Sequence, residues 1–263
     1  MHTPDWQDLT RFAIALARAS ALEILPWFRR NTEIGLKAGP VWDPVTEGDR
    51  AGERVMRKMI EERYPDHGIN GEEYGIREGR SGYTWILDPV DGTRSFVCGM
   101  PTWATLIGLN FEGKPVLGLM NQPFVGDMFY GSPEGAWLDH RGASHSIRTR
   151  TGVGLAAATI GTTAPELYRE GPEQEAFERL RKKAQLTRYG GDAYFFAVMA
   201  AGHIDIAMDA NLQAYDIAPL LPIITGAGGV YAEWTGGDAA AGGNIITAGS
   251  QTLLDETLEV MGG

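Results

Sequence analysis

Residues Trp85–Phe96 read WILDPVDGTRSF. Trp85, Ile86 and Leu87 make the apolar end of a buried strand, and Asp88 and Asp91 follow where that strand stops. Two carboxylates held close together in a dry place repel each other and lose their hydration, so a positive charge belongs beside them. Gly92-Thr93 comes next. A glycine lets backbone approach a ligand closely, and the N–H groups that open a helix bind anions. The stretch therefore joins acids suited to a cation with a cradle suited to a phosphate.

Upstream lie two helix patterns. In residues 5–30, Phe12, Leu16, Ala19, Leu22, Ile24, Leu25 and Phe28 recur at helical spacing, starting from Asp5 or Thr3-Pro4. In residues 48–64, Val55, Met56, Met59 and Ile60 share one face, charges occupy the other, and Pro65-Asp66 ends the run. A short strand at 67–70 enters Gly71-Glu72-Glu73. Strand 83–88, a turn at 89–92, strands at 104–111 and 115–122 and a strand pair within 127–139 complete an α+β half, residues 1–142. Residues 143–263 alternate instead as α/β. Strands are expected at 155–162, 186–191, 203–209, 228–234 and 244–250, with helices at 172–185, 192–202, 215–228 and 251–261. The polar segment 140–153 is the expected boundary. The combined pattern is α+β followed by α/β, a layered architecture.

Composition narrows the function. The chain has 263 residues, 43% hydrophobic and 10% aromatic, which is globular. With 23 basic against 34 acidic residues the net charge is −11, and no Lys/Arg stripe offsets it, which argues against a nucleic-acid partner. An acidic protein that handles an anion needs local positive charge, and a bound cation supplies it. The single cysteine, Cys98, excludes an internal disulfide and a Cys-rich zinc site, and a reducing cytoplasm is the default location. No apolar run reaches the roughly 18 residues of a membrane span, and residues 1–20 do not read as a signal peptide, so no membrane partner is expected.

Further acids sit at element ends: Glu72 and Glu73 after the 67–70 strand, Asp209 ending a strand, and Asp216 and Asp49 at helix starts. Each alone has a plain structural explanation, since Asp favours helix N-termini and Asp-Pro-x-Asp-Gly favours turns. Together, with no Cys or His cluster, they suit a hard cation such as Mg²⁺ or Mn²⁺. Metal carboxylates beside a phosphate cradle describe metal-assisted phosphoryl transfer to water, and no GxxxxGK[ST] is present to suggest a P-loop.

With Gly71-Glu72-Glu73, WILDPVDGTRSF, Tyr215-Asp216 followed by Gly226-Ala227-Gly228-Gly229, and Ala248-Gly249, the chain resembles the inositol monophosphatase family over nearly its whole length. That resemblance implies the layered αβαβα sandwich shared with fructose-1,6-bisphosphatases and a Mg²⁺-dependent, lithium-sensitive phosphatase. By position it implies that Glu72, Asp88 and the Val90 carbonyl hold one ion. Asp88, Asp91 and Asp216 would hold a second, with a third and weaker ion near Glu72, and Mn²⁺ as an alternative to Mg²⁺. Glu72 and Thr93 would orient the attacking water, Asp49 would support Thr93, and Gly92 and Thr93 N–H groups would hold the phosphate. Attack would be in line, without a phosphoenzyme. Family members are commonly homodimers, which is the expected assembly.

Two details bear on the substrate, a small-molecule phosphate monoester. Inositol-type members usually carry Thr-Asn-Phe after Asp-Gly-Thr and Trp before the distal Asp, whereas this chain has Arg94-Ser95-Phe96 and Tyr215. DGTRSF and GGDAYFFAVMAAGHIDIAMD are more similar to the family's histidinol-phosphate phosphatases, although Gln213-Ala214 stands where these often have Lys-Pro. The resemblance thus implies hydrolysis of histidinol phosphate in histidine synthesis, with Arg94, Asp192 and Asp209 facing the substrate. The alternatives are an inositol-1-phosphate or sugar-phosphate phosphatase, a 3′-phosphoadenosine 5′-phosphate nucleotidase, or a non-catalytic member. Arg94-Ser95 speaks against the nucleotidase, and the intact Glu72, Asp88, Asp91, Thr93 and Asp216 against the non-catalytic member.

Overall fold

Helix α1 (Trp6–Ile24) starts where Asp5 accepts Asp8 N at 2.9 Å, while Thr3-Pro4 lies outside the described residues. The computed structural model describes residues 5–30, 35–36 and 44–262. After the two-residue strands β1 (Gly35–Leu36) and β2 (Pro44–Val45) comes α2 (Glu47–Arg63), capped reciprocally by Thr46 and Asp49. The apolar faces read from the sequence pack α1 and α2 on one side of a sheet, where Leu16, Met56 and Ile60 meet Ile69, Trp85 and Leu87. Burying a large apolar side chain contributes about 1.5–3 kcal/mol, which is why these faces dock rather than stay in water.

That sheet has eight strands: β3 (Gly68–Gly71), β4 (Gly75–Arg77), β5 (Tyr83–Asp91), β6 (Ala104–Phe111), β7 (Lys114–Gln122), β8 (Asp127–Ser132), β9 (Gly135–His140) and β10 (Ala143–Ser146). Its order is β10-β9-β8-β7-β6-β5-β3-β4, and only the β3–β5 pairing is parallel. A short helix, α3 (Thr93–Val97), follows β5. The first sheet continues past residue 142, because β10 pairs with β9.

The second half supplies β11 (Thr159–Thr162), α4 (Pro172–Lys183), β12 (Leu186–Tyr189), α5 (Ala193–Ala200), β13 (Ile206–Gln213), α6 (Ala214–Ile217), α7 (Leu221–Gly226), β14 (Val230–Glu233), β15 (Gly242–Ala248) and α8 (Gln251–Gly262). Its five-stranded sheet runs β12-β11-β13-β15-β14. Phe196 and Met199 of α5 and Ile223 and Ile224 of α7 share a core with Leu106, Met120 and Phe129 of the first sheet and Ala207 and Ile245 of the second. Phe177 and Leu180 of α4 and Leu253 and Leu254 of α8 cover the outer face of the second sheet. Five layers result, α, β, α, β and α, as the sequence implies. The one helix expected over 215–228 is two, α6 and α7, because Pro219 and Pro222 interrupt helical hydrogen bonding.

Candidate active site

The 89–92 segment is not a free turn. Asp88 pairs with Leu106 and Asp91 with Ala104, so β5 holds one residue more than β6 across this interval. Side chains alternate along a strand, and residues three apart would point to opposite faces. The extra residue of the bulge turns Asp88 and Asp91 toward the same side. Pro89 suits the bulge because it has no N–H to leave unpaired, and its carbonyl accepts Thr105 Oγ1 at 2.8 Å. Gly92 then takes a left-handed conformation, φ 74°, and a Cβ there would lie 2.9 Å from Asp192 Oδ2.

Asp216 reaches the same place from α6, where its Oδ2 accepts Gln213 N at 2.7 Å. One ligand oxygen each from Asp88, Asp91 and Asp216 lies within 4.8 Å of the others. These three carboxylates could hold a single divalent ion. Burial, then the charges of Glu72, Asp91 and Asp216, hold the Asp88 carboxyl well above the usual carboxylate range. Burial and the charges of Asp192 and Asp216 do the same to Asp91, against one hydrogen bond from Ala193 N at 2.9 Å. The donor set is all oxygen, with neither sulfur nor imidazole, which fits a hard cation such as Mg²⁺ or Mn²⁺, and such an ion would reverse each of these shifts.

Around this centre the structure places the other expected residues unevenly. Glu72 follows β3, its N–H bound to Leu87 O at 3.1 Å, and its carboxyl hydrogen-bonds Asp88. Thr93 Oγ1 lies 3.0 Å from Val90 O and 3.5 Å from Asp49 Oδ1. Asp49 is therefore both a helix cap and a neighbour of Thr93. It is fully buried, and burial raises its pKa to about 6 despite hydrogen bonds from Thr46.

Asp192 and Asp209 are more tightly engaged with the protein than the sequence suggests. Asp192 Oδ2 accepts Ser95 Oγ at 2.5 Å and Thr102 Oγ1 at 3.4 Å, which ties the start of α5 to α3 and to the segment that follows it. The Ser95 hydroxyl thus joins α3 to α5. Asp209 Oδ1 accepts Thr162 Oγ1 at 2.8 Å and Thr163 N at 2.7 Å, and its Oδ2 accepts Thr163 Oγ1 at 2.7 Å. Burial nonetheless raises it to about 7.

A cavity of about 710 Å³ joins Asp91, Gly92, Thr93 and Asp216 to Arg94, Asp192 and Asp209. It also takes in Thr163, Glu166, Arg169 and Asn211, which the sequence reading did not select. They lie on the segment after β11, which includes a single 3-10 turn at Pro165–Leu167, and on a second bulge, between Asp209 and Leu212 of β13, whose position periodicity does not reveal. Among the described residues no helix is long and apolar enough to cross a membrane.

Comparison with known proteins agrees with this geometry. The inositol monophosphatase family profile matches residues 5–260. The Arabidopsis thaliana protein named bifunctional phosphatase IMPL2, chloroplastic, is 37% identical over 266 residues, 96% of this chain and 75% of that protein. A histidinol-phosphatase from Chlorobaculum parvum is 30% identical over 262 residues, 99% of this chain and 97% of that protein. A solved inositol monophosphatase from Zymomonas mobilis superposes with a TM-score of 0.87 at 34% identity, covering 99% of this chain and all 100% of its own.

Proposed function

Since the chain belongs to the inositol monophosphatase family and is a metal-dependent phosphomonoesterase of that superfamily, we propose that it hydrolyses histidinol phosphate to histidinol and phosphate. The observation that carries this reading is one cavity that joins the Asp88, Asp91 and Asp216 cluster to a further carboxylate, Glu166. Glu166 is exposed, and within the described residues it makes no hydrogen bond or ion pair. An amine or imidazolium at the far end of the substrate would meet a negative charge there. The likeness to the Chlorobaculum enzyme supports the same substrate.

In this reading Glu72, Asp88, Val90 O, Asp91 and Asp216 hold two or three Mg²⁺ ions, with Mn²⁺ as a substitute. Bound metal would supply Lewis-acid charge for the phosphate and the leaving oxygen and would lower the pKa of water. The protein does the rest. Gly92 and Thr93 N–H groups hold the phosphate, Glu72 and Thr93 orient the water, and Asp49 fixes the Thr93 hydroxyl. Arg94, exposed at the cavity mouth, contributes positive charge toward the incoming anion.

Inositol 1-phosphate is the second reading, favoured by the match to the Zymomonas structure. The test is Mg²⁺-dependent phosphate release from histidinol phosphate, inositol 1-phosphate, fructose 1,6-bisphosphate and adenosine 3′,5′-bisphosphate. Histidinol phosphate should give the highest kcat/KM, and Glu166→Gln should lower that value more than the value for inositol 1-phosphate. A preference for inositol 1-phosphate in the unaltered protein would overturn the histidinol assignment.

A further inference from the structure

Helix α2 brings a second carboxylate toward the site one turn after Asp49. Glu53 is completely buried. Its Oε2 accepts Glu73 N at 2.7 Å, and its Oε1 accepts Tyr74 N at 3.2 Å and Arg57 Nε at 2.7 Å. Arg57 also donates Nη2 to Gly75 O. The turn between β3 and β4 is thus gripped from two sides. Leu87 O takes the Glu72 N–H, and Glu53 takes the N–H groups of the next two residues.

The glycine of Gly71-Glu72-Glu73 fits the same picture. A Cβ at Gly71 would lie 2.0 Å from Glu53 Oε1. The carboxylate occupies space that only glycine leaves open. Burying an ionised carboxylate is costly without full hydrogen bonding, and here three N–H donors converge on it. Asp49 and Glu53, four residues apart, lie on the same face of α2. One helix face therefore supports Thr93 through Asp49 and the Glu72 turn through Glu53.

We infer that Glu53 is a positioning residue for Glu72: by holding the N–H groups that follow Glu72, it sets the direction in which the Glu72 carboxyl meets Asp88. This rests on the reading of Glu72 as a metal- and water-holding group. Partners that orient metal ligands are typically worth about 10–100-fold in metal affinity. Glu53→Gln keeps the shape but replaces one acceptor oxygen with an NH₂ group, so a donor would face a donor.

The test is Mn²⁺ binding to the metal-free protein, followed by electron paramagnetic resonance without substrate, alongside the melting temperature of each metal-free variant. Glu53→Gln should bind Mn²⁺ about 10-fold more weakly. Phe177→Leu, in the core on the far side of the second sheet, controls for lost stability and should keep wild-type Mn²⁺ affinity. Glu72→Gln is the reference and should weaken binding in the same direction. Wild-type affinity in Glu53→Gln, with Glu72→Gln impaired, overturns the inference. Wild-type affinity and turnover in Glu72→Gln overturn the reading on which it rests. Should Glu53→Gln not fold, Arg57→Met decides: it removes from a mostly buried side chain the Nε donor to Glu53 and the Nη2 donor to Gly75 O, and should weaken Mn²⁺ binding a few-fold, and unchanged affinity overturns the inference.

Discussion

Asp88 and Asp205 are both almost wholly buried, at 2% and 0% exposure, yet their surroundings are opposite. Asp205, immediately before β13, accepts Arg150 Nε at 2.8 Å, Arg150 Nη2 at 2.6 Å and Thr159 N at 2.8 Å. Glu233 on β14 is similar. Burial works against its charge, but Thr235 N and Oγ1, Gly237 N and Asn244 N hold it below the usual carboxylate range. Asp88 has Val90 N at 3.0 Å, and around it stand Glu72, Asp91 and Asp216, all acids. A buried carboxylate whose donors are supplied by the chain does structural work. Buried carboxylates that face one another lack a counter-charge, and that is the signature of a cation site.

The sharpest way to break this contrast is Asp91→Asn. Volume is kept and one negative charge is lost. Outer-shell changes at metal sites already cost about 10–100-fold, so loss of a ligand charge should cost at least about 100-fold in turnover. The metal-free variant should melt at or above the wild-type temperature, because repulsion from Asp192 and Asp216 is relieved. Lost turnover accompanied by a large drop in melting temperature would move Asp91 into the structural class with Asp205.

Arg150→Met is the mirror experiment. It leaves the buried Asp205 carboxylate without its arginine, and because the Arg150 side chain is 46% exposed the loss is screened to about 1–2 kcal/mol. Denaturant unfolding should show that loss, while Mg²⁺-dependent kcat per folded molecule stays unchanged. A fall in kcat at full folding would mean that the second sheet transmits Asp205 to the cavity.

Removing divalent metal reads the same contrast in one protein. A ligand that binds only the native state stabilises it by about 2.7 kcal/mol at 100 times its Kd. Mg²⁺ or Mn²⁺ should therefore raise the melting temperature of wild type, chelation should reverse it, and Asp91→Asn should show little of the effect. An equal rise in both proteins would locate the responsive ion elsewhere.

How much of this was legible in the sequence depends on what fixed each feature. The layers follow from apolar periodicity, so α1, α2 and the inner strands of both sheets are readable to within a few residues, whereas the exposed edge strands β4 and β10 carry no apolar alternation and are not. Asp88, Asp91 and Asp216 were readable as a set because their motifs match a known family, although nothing in strand periodicity reveals the bulge that makes the two β5 acids converge. Glu53 is not legible, since an acid on a charged helix such as GDRAGERVMRKMIEER looks solvated until its turn of the helix is placed against Gly71. The cavity wall at Thr163, Glu166, Arg169 and Asn211 depends on which loops the two sheets bring together, a long-range outcome that local pattern does not encode.

Asp209 tests the boundary between the two classes, with the smallest expected effect. Three hydrogen bonds meet it, yet its pKa rises from 3.8 to about 7 because burial outweighs them. The sign follows from linkage. The unfolded chain ionises this group near pH 4, whereas the native state keeps its proton until about 7. Its contribution to stability is therefore complete below pH 4, shrinks as pH rises from about 4 to about 7, and is constant above that. Asp209→Asn cannot titrate. In metal-free protein, the wild-type melting temperature minus that of Asp209→Asn should fall steadily across this window. The other acids with raised pKa values are present in both proteins, so the difference isolates Asp209. A difference that stays flat from pH 4 to 7 would mean that its three donors balance burial and would place Asp209 with Glu233. A steady fall would mean instead that three donors do not offset full burial at Asp209, whereas four donors do so at the less deeply buried Glu233.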